Sequence, residues 1–136
     1  MIVVDTNTIA YLYLPTKYTI DIEKLLEAKP EWAAPALWRS EFRNILTLHI
    51  RQSLIEFDTA CKMQSEAEEL IGENEFDIDS VSVLSLSSES GCSAYDCEFV
   101  SLAKAIDSKL ITADKKLLKS FPDIALTARD FISKLL

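Results

Sequence analysis

The chain is poor in the residues that build flexible loops, disulfide frameworks and zinc sites. Its 136 residues include two glycines, four prolines, three cysteines and one histidine. So little glycine and proline argues against long unstructured linkers. An odd number of cysteines makes a disulfide framework improbable. Cys92 and Cys97 lie close together in the sequence, but two ligands are too few for a zinc site without a further cysteine or histidine, and His49 is the one histidine.

Long apolar runs are also missing. No stretch approaches the roughly 20 apolar residues of a membrane-spanning helix. The first residues lack the basic segment that opens a signal peptide. Together with the cysteine count, these features lead us to expect a cytoplasmic protein that does not associate with membranes.

Basic residues are in the minority. The 14 lysines and arginines face 22 aspartates and glutamates, for a net charge of −8. This excess argues against a protein that coats nucleic acid, which needs a basic surface. It remains compatible with an enzyme whose acids gather around bound cations, or with a basic protein partner. The length favours one domain, residues 1–136.

Short apolar runs alternate with helical patterns along the whole chain. The runs predict strands at 2–4, 32–34, 76–78, 110–112 and 124–126. The helical patterns predict helices at 6–14, 19–28, 36–51, 57–71, 80–90, 95–106, 115–119 and 128–136. This alternation predicts an α/β fold, with a mainly parallel central sheet flanked by helices on both faces.

Two aspartates follow predicted strands. Asp5 ends the run Ile2-Val3-Val4, and Asp114 comes shortly after Leu110-Ile111. Ligands of open α/β sheets bind beyond the carboxyl ends of the strands, so both aspartates fall where a site is expected. For each residue alone, capping of the helix that follows is an equally good explanation.

Two further acids lie on apolar faces of predicted helices. At 100° per residue, Glu41 shares its face with Leu37 and Ile45, and Asp96 shares its face with Phe99. Buried carboxylates need a partner. For Glu41 a salt bridge to a distant base is an alternative, since Arg39 and Arg43 point away from it on the helix. For Asp96 the alternative is a capping box begun by Ser93.

Taken together, the four acids predict a metal site. Carboxylates that meet in one cleft repel each other unless a cation joins them. Oxygen ligands without histidine or cysteine favour Mg²⁺ or Mn²⁺. Such ions activate water and neutralise phosphate charge during phosphodiester cleavage.

These motifs resemble those of a known family. Val3-Val4-Asp5-Thr6-Asn7, Glu41, Ser93-Ala94-Tyr95-Asp96 and Leu110-Ile111-Thr112-Ala113-Asp114 occur in the order and spacing of PIN-domain ribonucleases. The resemblance covers essentially the whole chain. It is greatest to VapC-like toxins of prokaryotic toxin–antitoxin pairs.

The resemblance implies a Rossmann-like PIN domain that hydrolyses RNA with Mg²⁺, or with Mn²⁺ as substitute. It implies that the metal-binding catalytic residues are Asp5, Glu41, Asp96 and Asp114. Thr6, Asn7 and Thr112 would orient a carboxylate or a water. The family also implies a homodimer and inhibition by a small VapB-like antitoxin.

A chain of net charge −8 must gather its RNA-facing bases locally. The basic residues nearest the four acids in the sequence are Arg39, Arg43, Lys115, Lys116 and Lys119. We expect them to contact RNA, and the alternative is that they form solvated helix surface.

Three other functions stay open. One is an interaction module in which a PIN-like fold no longer catalyses. A phosphatase with an aspartyl nucleophile usually has a second acid two residues after the first, where this chain has Asn7. A receiver domain usually has an adjacent acidic pair, whereas Asp5 lies between Val4 and Thr6.

Overall fold

Five short strands, built from the apolar runs, alternate with eight helices. The computed structural model describes all 136 residues. The strands are β1 (Ile2–Val4), β2 (Trp32–Pro35), β3 (Glu75–Phe76), β4 (Leu110–Ile111) and β5 (Ala125–Leu126). The helices are α1 (Thr6–Tyr13), α2 (Thr19–Ala28), α3 (Leu37–Arg51), α4 (Phe57–Ile71), α5 (Ser80–Ser90), α6 (Ala94–Ala105), α7 (Lys115–Ser120) and α8 (Ala128–Leu135).

The strands form one sheet in the order β3-β2-β1-β4-β5, and every neighbouring pair is parallel. Val3 of β1 is paired with Ala33 of β2 on one side and with Leu110 of β4 on the other. The chain winds from β1 outward to β3 and then returns to place β4 on the opposite side of β1. This reversal between β1 and β4 is the position where α/β sheets bind ligands.

The central strands are apolar because helices cover both of their faces. Val3, Val4, Leu110 and Ile111 have no exposed surface, as expected of strands in the middle of a parallel sheet. Phe42 of α3 is equally buried in the same core. Burying a side chain of this size stabilises the fold by about 1.5–3 kcal/mol, which anchors the functional strand ends to a rigid core.

The predicted fold class is confirmed, and most element bounds agree to within two residues. Helix α5 ends at Gly91 in the left-handed conformation (φ 75°), as predicted from glycine at that position. The third strand was predicted at 76–78, which is too far along the chain. The strand lies at Glu75–Phe76 because these two residues pair with Ala34 and Pro35, after which the chain leaves β2 to enter α5.

No helix of the structure has both the length and the apolar character needed to cross a membrane.

Candidate metal-binding active site

Four carboxylates from four separate elements line one pocket at the carboxyl edge of the sheet. Asp5 follows β1, Glu41 lies in α3, Asp96 lies in the first turn of α6, and Asp114 precedes α7. The pocket has a volume of about 260 Å³. Its lining consists of Asp5, Thr6, Asn7, Glu41, Asn44, Ile45, Asp96, Phe99, Asp114 and Leu117. The sheet reversal between β1 and β4 therefore brings together all four acids that the sequence singled out.

Asp5 is the most constrained of the four. Its Oδ1 accepts hydrogen bonds from the backbone N of Thr8 at 2.9 Å and from the Thr8 hydroxyl at 2.7 Å. Its Oδ2 accepts a hydrogen bond from the hydroxyl of Thr112 at 2.5 Å. Asp5 thus caps α1, which was the alternative explanation for this residue from the sequence. It also lines the pocket. Capping and site formation are compatible because a carboxylate has about four lone-pair positions.

Asp114, like Asp5, both caps a helix and lines the pocket. Its Oδ1 accepts a hydrogen bond from the backbone N of Leu117 at 2.9 Å and so caps α7. Its own backbone N donates to the hydroxyl oxygen of Thr112 at 3.0 Å. Thr112 therefore connects Asp5 to the backbone of Asp114 across neighbouring strands.

Glu41 has a hydroxyl partner instead of an ionic one. The hydroxyl of Thr6 donates to its Oε1 at 2.6 Å. None of the three ion pairs of the chain includes Glu41, so the salt-bridge explanation is wrong for this residue. Burial raises the pKa of Glu41, and the negative charges of Asp96 and Asp5 raise it further.

Asp96 lies in the first turn of α6, and its side chain lines the pocket. Its backbone N donates to the hydroxyl oxygen of Ser93 at 3.0 Å, which confirms Ser93 as the N-cap of α6. Burial and then the charge of Asp114 raise the pKa of Asp96. Burial also raises the pKa of Asp5, although hydrogen bonds from Thr112 and Thr8 oppose this effect.

The raised pKa values have a common physical meaning. Three half-buried or buried carboxylates lose hydration and repel one another, so their ionised forms are destabilised. A bound cation would remove both penalties. The donor set, which consists only of oxygens, has the chemistry that Mg²⁺ and Mn²⁺ prefer.

The carboxylates are not drawn into a closed cluster. No group of three or more histidine, cysteine, aspartate or glutamate side chains is close enough together to hold a metal ion as it stands. Asp5, Glu41 and Asp114 each keep lone pairs beyond their hydrogen bonds. The residues therefore fit a hard cation in the chemistry of their donor atoms.

The polar residues around the acids include two that the sequence predictions missed. Thr6 and Thr112 contact Glu41 and Asp5 as expected of supporting groups, and Asn7 lines the pocket. Thr8, which holds Asp5 through two hydrogen bonds, was not predicted. Asn44 was also missed, although its position three residues after Glu41 places it on the same face of α3.

The predicted RNA-binding bases lie outside the lining of this pocket. Arg39 has structural contacts: its guanidinium donates to Glu75 at 2.7 Å and to Glu68 at 2.9 Å. These two glutamates take two of the five N–H donors of Arg39, and RNA binding by this residue stays a prediction. Lys116 donates to the carbonyl oxygen of Gly91 at 2.7 Å. The other three, Arg43, Lys115 and Lys119, are exposed.

Comparison with known proteins decides the family. Residues 2–123 match the family model for the PIN domain. The chain belongs to the PIN domain family. Ribonuclease VapC3 of Pyrobaculum aerophilum is 30% identical to this PIN-domain chain over 126 residues, which cover 89% of the chain and 95% of that relative.

Solved structures share the fold. PAE2754 from Pyrobaculum aerophilum superposes with a TM-score of 0.76 at 18% identity, over 98% of this chain and 87% of that one. A toxin–antitoxin complex from Klebsiella pneumoniae contains a chain with a TM-score of 0.65 at 16% identity, over 94% of this chain and 98% of that one. The resemblance inferred from the ordered motifs is thereby confirmed at the level of family and fold.

Proposed function

We propose that this PIN-domain protein is a metal-dependent endoribonuclease and the toxin of a toxin–antitoxin pair. The observation that carries the proposal is the meeting of Asp5, Glu41, Asp96 and Asp114 in one pocket at the sheet reversal. Similarity to a ribonuclease over 89% of the chain supports RNA as the substrate.

The four carboxylates are the residues that would hold Mg²⁺ or Mn²⁺. When bound, such an ion activates a water molecule and neutralises charge on the phosphodiester that is hydrolysed. The chain supplies the negative charge that selects a divalent cation. It also supplies a surface pocket open to a polymeric substrate, with Asn7 and Asn44 as neutral hydrogen-bonding groups at its edge.

The threonines prepare the carboxylates for this role. Thr112 and Thr8 hold both oxygens of Asp5, and Thr6 holds Oε1 of Glu41. A ligand whose rotamer is fixed before binding loses less entropy when the cation arrives. These hydrogen bonds also favour the ionised form of each acid, against the effect of burial.

The toxin role adds three components to the proposal. A small antitoxin of the VapB type would cover the site, the active protein would be a homodimer, and both would act in the cytoplasm where RNA is available. The structural similarity to a chain of a toxin–antitoxin complex supports the antitoxin. Toxicity would be tested by induced expression in the native host or a relative. Growth arrest that co-expression of a short neighbouring reading frame relieves supports the pair.

RNA cleavage tests the enzymatic part. Structured RNA incubated with Mn²⁺ should be cut by the wild-type chain, and EDTA should stop the reaction. Asp5→Asn and Asp96→Asn should lose activity while remaining folded, and Asp77→Asn, at an exposed position outside the pocket, should keep it. Equal cleavage by the wild type and both site variants would refute the catalytic assignment.

A catalytically silent PIN-like interaction module is the second candidate, because the four carboxylates do not form a closed metal cluster by themselves. Calorimetry separates the two functions. Titration of the wild type with Mn²⁺ should release or absorb heat at a saturable site, and Asp96→Asn should weaken the binding. No binding of Mn²⁺ or Mg²⁺ by the folded wild type would favour the silent module.

A further inference from the structure

A second cleft lies beside the carboxylate pocket and has no part in the catalytic proposal. Its volume is about 380 Å³. Its lining includes Tyr11 of α1, Tyr18 at the start of α2, Ala113 after β4 and Arg129 of α8. The cleft therefore opens at the carboxyl ends of β4 and β5, on the same edge of the sheet as the four acids.

The two cavities share a wall. Thr8 and Thr112 line the second cleft, and the same two side chains donate hydrogen bonds to Asp5 in the carboxylate pocket. The charges of Asp5 and Asp114 contribute, after burial, to raising the pKa of Tyr11, which agrees with this short separation. The two cavities are therefore separated by one layer of buried threonines.

Aromatic rings and cations meet in the cleft. The rings of Tyr11 and Tyr18 are stacked with centroids 4.8 Å apart and an interplanar angle of 30°. Nζ of Lys17 lies 5.2 Å from the centroid of the Tyr18 ring. Stacking on aromatic side chains, with cations nearby for the phosphates, is how proteins bind unpaired nucleotides.

Arg129 adds an exposed cation at the border of the cleft. Its side chain is 78% exposed and contacts Asp21 at 3.3 Å. An ion pair this exposed contributes little, so the guanidinium can turn to a phosphate at small cost. Asp21, which also lines the cleft, can accept hydrogen bonds from a base amino group or a ribose hydroxyl.

The charge balance favours a nucleotide over an apolar protein segment. The chain has a net charge of −8, yet Lys17 and Arg129 both border this cleft beside the acidic pocket. We propose that the cleft is a nucleotide-binding subsite, which holds an unpaired base of the RNA against Tyr11 and Tyr18 and its phosphate against Lys17 and Arg129. The proposal rests on the proposed RNA substrate and places the bound base next to the cleaved bond.

Binding of nucleoside 5′-monophosphates tests the subsite without cleavage. Each of the four common ribonucleotides is titrated into the full ¹⁵N-labelled chain in EDTA, and amide shifts are followed by NMR. At least one should shift the amides of Ile22, Ala113 and Ala128 saturably. Tyr18→Leu should raise the dissociation constant about fivefold or more, the loss expected for one stacked base.

Matched variants separate stacking and charge from damage to the fold. Tyr18→Phe keeps the ring and should bind within about twofold of the wild type. Arg129→Met at its exposed position should bind more weakly, whereas Lys134→Met, also exposed on α8, should not. Unchanged binding by both Tyr18→Leu and Arg129→Met would overturn the proposal.

The outcome is also separable from that of the nuclease proposal. Monophosphate binding needs neither a metal nor strand cleavage. A chain that cleaves RNA but shows no shifts with any monophosphate refutes the subsite alone. A chain that binds monophosphates in the cleft but never cleaves RNA keeps the subsite and refutes the nuclease.

Discussion

The hydroxyl of Thr112 donates a hydrogen bond to Oδ2 of Asp5, a residue 107 positions earlier in the chain. The same hydroxyl oxygen accepts from the backbone N of Asp114 at 3.0 Å. Thr112 is 1% exposed and follows β4, which pairs directly with β1. One buried hydroxyl therefore connects the two strand-end acids, and the sheet reversal makes this connection possible.

Replacement of this hydroxyl should affect both stability and catalysis. Thr112→Val keeps the shape but leaves buried Asp5 without one of its donors. We expect the free energy of unfolding to fall by about 2 kcal/mol, the range for a lost hydrogen bond to a charged group. RNA cleavage should fall about 10- to 100-fold, as for other groups that orient metal ligands.

Urea unfolding and single-turnover cleavage measure the two effects. Thr47→Val is the matched control, because the Thr47 hydroxyl donates to the backbone of its own helix, on an exposed part of α3. It should change both quantities little. Full activity of Thr112→Val would contradict a role for the Thr112 hydroxyl in orienting the Asp5 carboxylate.

Removal of the charge at Asp96 should stabilise the metal-free protein. The pKa of Asp96 is raised by burial and by Asp114, so its ionised form is unfavourable in the folded state. Asp96→Asn in EDTA should raise the Tm by about 2 °C, which corresponds to roughly 0.5 kcal/mol at this chain length. Addition of Mg²⁺ should then raise the Tm of the wild type more than that of the variant.

Thermal unfolding followed by circular dichroism, with and without Mg²⁺, gives these shifts. Asp77→Asn removes an exposed carboxylate outside the pocket and should leave the response to Mg²⁺ unchanged. A lower Tm of Asp96→Asn in EDTA would mean that its carboxylate stabilises the fold, contrary to the repulsion described here.

The raised pKa values also predict the direction of the pH dependence. Asp5, Glu41 and Asp96 hold their protons more tightly in the folded than in the unfolded chain. Between the unfolded and the raised folded pKa values, protonation therefore favours folding. In EDTA these three groups should raise the free energy of unfolding as the pH falls through their raised folded pKa values towards the unfolded values of about 4.

Urea titrations at a series of pH values measure this slope. Asp96→Asn should reduce it, because one of the three coupled acids is gone, and saturating Mg²⁺ should reduce it in the wild type. A decrease in stability over the same interval in EDTA would contradict the assignment of raised pKa values to the site.

The strand ends and the buried faces of the helices could be predicted because they depend on local pattern. Apolar runs marked β1 and β4, so the aspartates after them were placed correctly at the ligand edge. Helical periodicity placed Glu41 and Asp96 toward the pocket. For Asp5 and Asp114, helix capping and a place in the pocket are not alternatives, because both residues cap helices and both line the pocket.

Contacts between distant segments could not be predicted from one sequence. Arg39 pairs with Glu75, 36 residues away, because β3 lies next to β2 and brings that glutamate to the start of α3. The second cleft likewise forms only when α8 lies beside α2. Strand order decides both features, and no local pattern in the sequence encodes it.

The structural role of Arg39 in its two ion pairs is testable. Arg39→Met should lower the free energy of unfolding by about 1 kcal/mol, a modest amount because the ion pairs are partly exposed. The affinity of the folded protein for RNA should stay within about twofold of the wild type. Urea unfolding and fluorescence anisotropy with labelled RNA measure the two.

Glu75→Gln is the complementary change, since Glu75 also accepts a hydrogen bond from Nε1 of Trp38 at 2.7 Å. It should lower stability by a similar amount without changing RNA affinity. A large loss of RNA affinity in Arg39→Met, with unchanged stability, would show that Arg39 contacts RNA and contributes little to the fold.

Cleavage of RNA by Glu41→Gln in Mn²⁺ is the most direct test of the four-carboxylate site. Gln keeps the length of Glu41 and can still accept from Thr6, so only the charge offered to a cation is lost. Single-turnover cleavage should fall about a hundredfold or more relative to the wild type, and EDTA should abolish the wild-type reaction. Wild-type cleavage rates in Glu41→Gln, or cleavage that persists in EDTA, would contradict the account.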